Sequence, residues 1–86
     1  MFFVYVLYSE KIHRFYIGQT GNLHKRIDSH NNGLSHWSKR GVPWKLIYQE
    51  KYLTRSQAMI REKFLKTGAG RDFIYEVTKN NIRITV

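Results

Sequence analysis

One stretch decides the fold of this chain: FFVYVLYSEKIHRFYIGQT, the residues Phe2–Thr20. Its two halves, Phe2–Tyr8 and Arg14–Thr20, are runs of β-branched and aromatic residues, a composition typical of β-strands. The short stretch Ser9–Ile12 between them predicts a hairpin loop of about four residues. The chain is therefore expected to begin with two antiparallel strands.

The register of this hairpin determines which side chains meet. If Tyr8 pairs with His13 across the loop, Tyr5 lies directly opposite Tyr16. Both tyrosine side chains then point to the same face of the hairpin. We expect two phenol groups to sit side by side there.

After the hairpin the pattern becomes helical. Thr20 or Asn22 can cap the start of the helix, and Gly33 suits a left-handed C-terminal cap. Arg26 and His30 are four residues apart, a spacing that predicts both side chains on one helix face.

A third strand is predicted over Trp44–Lys51, followed by a second helix. The helix begins with Thr54–Gln57, which has the form of a capping box. Ala58, Glu62 and Leu65 fall along one stripe of this helix, so Glu62 leans toward its packed side. A carboxylate in that position is expected to face a cation.

The end of the chain has weaker signals. Gly68–Gly70 indicates a break between helices, ahead of a short helix over Arg71–Thr78. Ile82–Val86 alternates weakly, which is typical of a terminal strand or a loose tail.

Composition limits the architecture and the partners. The chain has 86 residues, 15 Lys and Arg against 6 Asp and Glu, and a formal net charge of +9. Its length, with no repeat or shift in composition, predicts one domain over residues 1–86. So basic a domain is a candidate for binding a polyanion, because phosphate contacts attract basic surfaces and release counterions.

The N-terminus and the absence of cysteine predict the setting. Without cysteine there are no disulfides or thiolate metal sites. The apolar run that ends at Tyr8 is too short for a signal peptide or a membrane span. A cytoplasmic protein with no membrane contact is expected.

Five polar residues cover the demands of phosphodiester hydrolysis. An attacking water must lose a proton, the phosphorus needs positive charge against it, and the leaving oxygen must be neutralised by a proton or a metal ion. The residue types suited to these tasks are found at Tyr5, Tyr16, Arg26, His30 and Glu62.

Each of these residues has a common structural role when it is taken alone. Arg26 can pair with Asp28, and Glu62 can pair with Lys66 four residues later. His30 can simply be a histidine near a helix C-terminus, where the helix dipole favours it. Their joint occurrence in one order makes the nuclease interpretation the stronger one.

These residues resemble the signature of the GIY-YIG endonuclease superfamily, in particular that of small single-domain bacterial members. The matching segments, in order, are Phe3-Val4-Tyr5, Tyr16-Ile17-Gly18, Arg26, His30 and Glu62, with further similarity over Gly18–Leu23, Pro43–Tyr48 and Arg61–Lys66. The first motif lacks the glycine and isoleucine of the family but keeps the tyrosine. Asn80 or Asn81 could match an asparagine that many members carry after the glutamate.

The resemblance implies an α/β (α+β) fold, a small mixed three-stranded sheet flanked by helices in the order β-β-α-β-α-α. It also implies hydrolysis of nucleic acid with one divalent ion, Mg²⁺ or Mn²⁺, bound by Glu62. Arg26 would neutralise the charge that develops on phosphorus. Tyr5, near Tyr16, would activate water, with His30 as rival or helper. Because an ordinary tyrosine has a pKa of about 10, the choice between Tyr5 and His30 stays open.

Further residues are expected to contact nucleic acid: Lys25, Lys39, Arg40, Arg55, Arg61 and Trp37. On the loop before the third strand, Trp37 could stack on a base while neighbouring cations hold phosphates. Equally, Trp37 could close the edge of the core while those cations are solvated.

The functional hypothesis is a metal-dependent endonuclease that cuts DNA by structure rather than by sequence, in DNA repair or processing. The alternative is a non-catalytic nucleic-acid-binding module that retains the nuclease scaffold. DNA is the expected partner, and assembly into a homodimer or a larger repair complex is left open.

Overall fold

The structure is a computed structural model that describes residues 1–32 and 38–79. Its elements follow in the predicted order β-β-α-β-α-α, which makes the fold α+β. Their bounds are β1 Phe2–Ser9, β2 Arg14–Thr20, α1 Leu23–Asn31, β3 Lys45–Tyr52, α2 Arg55–Leu65 and α3 Gly68–Thr78, with a short 3-10 helix over Ser38–Gly41. Four predictions lie outside the described residues: the cap at Gly33, the contact of Trp37, the match at Asn80 or Asn81, and the terminal strand or loose tail over Ile82–Val86.

The sheet has three strands in the order β2-β1-β3. Both neighbours of β1 run antiparallel to it, so the sheet is antiparallel rather than mixed. The third strand begins and ends one residue later than predicted, at Lys45 and Tyr52.

The turn of the hairpin lies one residue later than predicted, which shifts the pairing between the strands by two residues. Ser9 still belongs to β1 and pairs with Arg14, so the connecting residues are 10–13 and not 9–12. The Ser9 hydroxyl accepts a hydrogen bond from the backbone N–H of Ile12, at 3.3 Å, and His13 takes a left-handed conformation with φ of 52°. As a result Tyr5 pairs with Gly18 instead of Tyr16.

Alternate residues of β1 enter two separate cores, one on each face of the sheet. Val4 and Val6 face α2 and α3, and Tyr5 and Leu7 face α1. The first core is completed by Ile17, Ala58, Leu65 and Ile74, and the second by Trp44 with Tyr16, Leu23, Ile27 and Leu46 around it. The period-two alternation of a strand that is covered on both sides explains why all of Val4–Ser9 is buried.

The third helix begins earlier than predicted, at Gly68. Thr67 caps it, because its hydroxyl accepts a hydrogen bond from the N–H of Gly70 at 3.1 Å. Gly70 is buried against the last turn of α2, so closely that a side chain would collide with the carbonyl group of Phe64. The segment Gly68–Gly70 is therefore the first turn of a helix rather than a break.

Across the ranges 1–32 and 38–79, none of the helices combines the length and the apolar character needed to cross a membrane.

Candidate active site

Helix α1 packs on the Tyr5 face of the sheet, and an asparagine side chain at each of its ends forms hydrogen bonds with backbone groups. Of the two predicted caps it is Asn22 that occupies the N-cap position, and its side chain accepts from the N–H of Lys25 at 3.1 Å. At the other end, Asn31 accepts from the N–H of Trp44 at 2.6 Å and donates to the Trp44 carbonyl at 3.2 Å. The sequence analysis missed Asn31, because a polar residue near a helix end has no distinctive pattern.

The hydroxyl group of Tyr5 is the centre of the site. The Nε–H of Arg26 donates a hydrogen bond to this oxygen at 3.3 Å, and the Nε2 atom of His30 lies 3.3 Å from it. Arg26 and His30 therefore meet at one atom, as their spacing of four residues on α1 predicts.

The two tyrosine rings are neighbours although they are not directly opposite. Tyr16 pairs with Leu7, so it is the diagonal neighbour of Tyr5 on the same face, and the ring centroids are 6.3 Å apart at an angle of 21°. The edge of Tyr16 also contacts the His30 ring, with the centroids 4.3 Å apart. The expected phenol pair is present in a shifted register.

Gly18 makes this arrangement sterically feasible. It lies opposite Tyr5, and a Cβ atom there would be 2.6 Å from the Tyr5 hydroxyl and 3.2 Å from the Tyr16 ring. Any larger residue would push the two phenols away from α1. The glycine of the Tyr16-Ile17-Gly18 segment thus serves as space for the site.

The cluster has a buried half and an accessible half. Tyr5 has no exposed surface and His30 is 4% exposed, whereas Tyr16 is half-buried and Arg26 is exposed. Solvent and substrate therefore meet Arg26 and Tyr16 first. The buried pair lies behind them.

Burial sets the protonation of this buried pair. It raises the pKa of Tyr5, and the hydrogen bond from Arg26 does not offset the effect. Burial also lowers the pKa of His30, and the nearby charge of Arg26 adds to that shift. At neutral pH Tyr5 is therefore protonated and His30 is uncharged.

These states suit a directed chain of hydrogen bonds. The Tyr5 oxygen accepts from Arg26, which leaves the Tyr5 proton free to point at Nε2 of His30. This requires the imidazole tautomer that carries its hydrogen on Nδ1. The chain ends at a neutral nitrogen that can take up a proton.

Arg26 keeps its positive charge available. Hydrogen bonds with Tyr5 and Tyr16 raise its pKa further, so it is always charged. The alternative partner Asp28 is paired with His24 at 3.5 Å. Within the part of the chain that the structure describes, Arg26 forms no salt bridge, so an external anion can provide one.

Glu62 approaches the site from the other side of the sheet. Its carboxylate accepts a hydrogen bond from Lys66 at 3.3 Å, which is the common structural role of a glutamate four residues before a lysine. Its side chain is 21% exposed. Its negative charge is also among the causes that raise the pKa of Tyr5. Glu62 is thus within electrostatic range of the tyrosine pair.

The residues present suit a hard divalent cation and not a fully protein-bound metal. No group of three or more His, Cys, Asp and Glu side chains comes together within ranges 1–32 and 38–79. Mg²⁺ is commonly bound by one or two carboxylates, with water and substrate phosphate as the other ligands. The single partly exposed carboxylate of Glu62 meets that requirement.

The residues predicted to contact nucleic acid differ in their exposure and in their contacts within the protein. Lys25 on α1 is exposed, as are Lys39 and Arg40 on the 3-10 helix that contacts α1. The exposed guanidinium of Arg55 lies over the Phe2 ring, 4.8 Å from its centroid. Trp37, the remaining aromatic candidate, is outside the described residues.

Arg61 is engaged within the protein. It donates two hydrogen bonds to Glu50, at 2.9 and 3.1 Å, on the sheet face away from Tyr5. The rings of Phe64 and Phe73 lie near its guanidinium, at 5.1 and 4.9 Å. A phosphate contact would require Arg61 to leave these partners, and its predicted role in binding remains a prediction.

An antiparallel hairpin bearing paired tyrosines, with a helical arginine beside them, defines a class of nuclease domain. The family model of the GIY-YIG catalytic domain matches residues 1–80, and the chain belongs to this family. GIY-YIG catalytic domains are nuclease domains, so nucleic acid is the class of substrate.

Three relatives with significant similarity are bacterial proteins. A UPF0213 protein of Clostridium perfringens is 42% identical over 67 residues, which cover 77% of this chain and 71% of that protein. The UPF0213 protein YazA of Bacillus subtilis is 37% identical over 57 residues, 65% of this chain and 58% of YazA. A UPF0213 protein of Staphylococcus saprophyticus is 42% identical over 53 residues, 60% of this chain and 65% of that protein. No solved structure matches the chain significantly.

Proposed function

We propose that this protein is a divalent-metal-dependent endonuclease that hydrolyses phosphodiester bonds in DNA. The proposed enzyme selects its substrate by structure rather than by sequence and acts in DNA repair or processing in the cytoplasm. The observation that carries the proposal is the state of Arg26. Its guanidinium is exposed and anchored to Tyr5 at 3.3 Å, and it has no ion pair among the described residues.

Arg26 would act on the scissile phosphate. A phosphodiester bound against it carries one negative charge, and the pentavalent transition state carries more. A fixed cation therefore stabilises the transition state more strongly than the ground state. Because Tyr5 and Tyr16 hold the guanidinium beforehand, little reorganisation is needed during the reaction.

His30 is the proton acceptor that this proposal favours over Tyr5. A raised pKa keeps Tyr5 protonated at neutral pH, so its phenolate is scarce, while the lowered pKa of His30 keeps the imidazole neutral. Tyr5 then serves as the hydroxyl group between Arg26 and His30. Tyr16, the more accessible phenol, orients the attacking water at the mouth of the site.

Glu62 is the residue that would hold Mg²⁺ or Mn²⁺. When bound, such an ion supplies charge stabilisation at the leaving 3′ oxygen. The remaining work falls to the chain itself: Glu62 orients the ion, Arg26 binds the phosphate, and His30 holds the proton.

A second candidate is the non-catalytic nucleic-acid-binding module. It is favoured by one observation, that Tyr5 is fully buried and so makes no direct contact with water. The net charge of +9 suits either function. Only a measurement of cleavage separates them.

The test is cleavage of labelled linear, branched and single-stranded DNA with Mg²⁺, Mn²⁺ or a chelator. Glu62→Gln removes the charge of the candidate metal ligand with little change in shape. Glu76→Gln is the matched control, since Glu76 also pairs with a lysine on its own helix, at 3.0 Å. We expect Glu62→Gln to lower metal-dependent cleavage by about 100-fold or more, because charge stabilisation worth several kcal/mol is lost.

Binding measured in parallel separates the outcomes. Unchanged DNA affinity in Glu62→Gln, with cleavage lost, supports the enzyme. Tight binding by the wild type without cleavage of any substrate supports the binding module. The ratio of nicked to linearised plasmid among the products reports the state of assembly. One site cuts one strand, so double-strand cleavage calls for a homodimer or a larger repair complex.

A further inference from the structure

A cleft opens along the outer edge of β2, next to the candidate active site. One wall is formed by Phe15, Tyr16 and Ile17, and the opposite wall by Lys66 and Arg71. Its volume is about 240 Å³. The position follows from the topology, because β2 is an edge strand and the turn between α2 and α3 lies beside it.

Tyr16 belongs to both the cleft and the site. Its ring lies 6.3 Å from that of Tyr5, and its hydroxyl interacts with Arg26. Tyr16 also lines the cleft together with the two cations. A ligand held at Arg26 can therefore continue past Tyr16 into the cleft.

Arg71 contributes a cation from a fixed backbone position. It lies in the first turn of α3, where its N–H donates to the carbonyl group of Thr67 at 2.9 Å. Its side chain is exposed, and among the described residues it forms no salt bridge. Arg71 shares this combination of exposure and unneutralised charge with Arg26.

Lys66 joins the cleft to Glu62. Its ammonium group lies 3.3 Å from a carboxylate oxygen of Glu62, and its side chain is 53% exposed. No acidic residue lines the cleft among the described residues. The cleft thus presents two cations, one of them beside the candidate metal ligand, and a wall of aromatic and aliphatic side chains.

We propose that this cleft binds the phosphodiester that neighbours the scissile one on the same DNA strand, with Arg71 and Lys66 as its contacts. The proposal rests on the nuclease function proposed above. Two cations facing an apolar wall suit a strand that carries both anionic phosphates and sugar or base surfaces. Through this contact the enzyme sets the register of the strand, so that the scissile phosphate falls at Arg26.

The first experiment compares Arg71→Gln with Lys79→Gln. Arg71→Gln removes one positive charge from the first turn of α3, and Lys79→Gln removes one from its C-cap residue, about 12 Å away along the helix axis. Lys79 is paired with Glu76 and lies at the far end from the cleft. DNA affinity is measured by fluorescence anisotropy over a series of salt concentrations.

We expect Arg71→Gln to weaken binding about fivefold or more at low salt, because a hydrogen bond between charged groups is lost. The slope of log affinity against log salt should fall by about 0.9 for duplex DNA. Turnover at saturating DNA should change less than affinity, because Arg71 positions the strand and does not touch the reacting atoms. Lys79→Gln should leave both the affinity and the slope near the wild-type values.

The second experiment locates the phosphate. Single neutral methylphosphonate linkages are placed in turn on either side of the cleavage site. At one neighbouring position the substitution should weaken binding by the wild type but have no further effect on Arg71→Gln, since both changes remove the same contact. Non-additivity at a single linkage identifies the partner of Arg71.

The outcomes separate this inference from the function it rests on. If the wild type binds and cleaves DNA while Arg71→Gln behaves like Lys79→Gln, the cleft proposal is overturned and the nuclease stands. Additive effects of Arg71→Gln and every neutral linkage overturn it in the same way. If the wild type neither binds nor cleaves, the nuclease proposal itself fails.

Discussion

Each face of the sheet carries two tyrosines around one arginine, yet the two clusters end in different electrostatic states. On the α1 face, the hydroxyl of Tyr5 contacts Arg26 and His30, with Tyr16 beside them. Among the described residues, the guanidinium of Arg26 forms hydrogen bonds with neutral groups, the hydroxyls of Tyr5 and Tyr16. This cluster keeps the positive charge of its arginine.

On the face covered by α2 and α3, the fourth residue of the cluster carries a carboxylate, that of Glu50. The hydroxyl groups of Tyr48 and Tyr52 donate to Glu50 at 2.5 and 2.6 Å, and Arg61 donates to both of its oxygens. Burial alone would raise the pKa of Glu50, but these hydrogen bonds outweigh it and hold the pKa below 4.5. Burial and the bond to Glu50 raise the pKa of Tyr48 to about 12.

The same residue types therefore serve two purposes in the two clusters. Where Glu50 neutralises Arg61, the donors and acceptors satisfy one another and the cluster joins α2 to β3. Where neutral His30 replaces the carboxylate, Arg26 is held in place but not neutralised. The second arrangement suits an anionic ligand from outside.

The largest effect is expected when the same substitution, arginine to glutamine, is made on each face of the sheet. Arg26→Gln should lower turnover by about 100- to 1,000-fold, the usual effect of removing one preorganised donor. Its free energy of unfolding should change little, since Arg26 is exposed. Single-turnover cleavage and chemical denaturation measure the two quantities.

Arg61→Gln should show the opposite pattern. It leaves the partly buried Glu50 without its charged donor, which should lower the free energy of unfolding by about 1.5–3 kcal/mol. Turnover per folded molecule should stay close to that of the wild type. A turnover loss in Arg61→Gln as large as that in Arg26→Gln, without loss of stability, would mean that the two clusters are not functionally distinct.

The two clusters are also expected to respond to pH in different ranges. The pKa of His30 is lowered from 6.5, mainly by burial, so cleavage that needs neutral His30 should be full at pH 7 and decline only as pH falls below 6.5. Burial disfavours the protonated form of His30, so the contribution of His30 to the free energy of unfolding also falls as pH falls below 6.5. In His30→Gln the acid limb of the rate profile should disappear, and its persistence would assign the limb to another group.

Glu50 responds in a lower range of pH. Its folded pKa lies below 4.5, so its stabilising contribution is present above that value and is lost as pH falls through the folded pKa. Cleavage should therefore decline before the contribution of Glu50 does. Thermal denaturation from pH 7 to pH 3, for wild type and Glu50→Gln, measures the acid-dependent difference.

The smallest effect is expected from Tyr52→Phe. It removes one of the hydrogen bonds to Glu50, leaves Arg61 in place, and should lower the free energy of unfolding by about 0.5–1.5 kcal/mol. Cleavage by the folded protein should be unchanged. A marked loss of cleavage would show that the two faces are coupled through the sheet.

Local patterns predict the elements well and their pairings less well. The capping box at Thr54–Gln57 is present as predicted, because it depends only on residues that are near in sequence. The position of the hairpin turn was wrong by one residue, since it depends on Ser9 and on the left-handed conformation of His13. The start of α3 was missed because packing of Gly70 against α2 outweighs the low helix propensity of glycine.

The order of the elements, the basic character of the domain, and the meeting of Arg26 with His30 could all be predicted from the sequence alone. Helical spacing is a local property, so these follow from residues that are close along the chain. The ion pairing of the two arginines depends on the tertiary structure, in which Arg61 pairs with Glu50 and Arg26 has no ion pair among the described residues. The reason is that pairing depends on which side chains face one another across packed layers. Glu50 and Arg61 lie on β3 and α2, and no local period relates them.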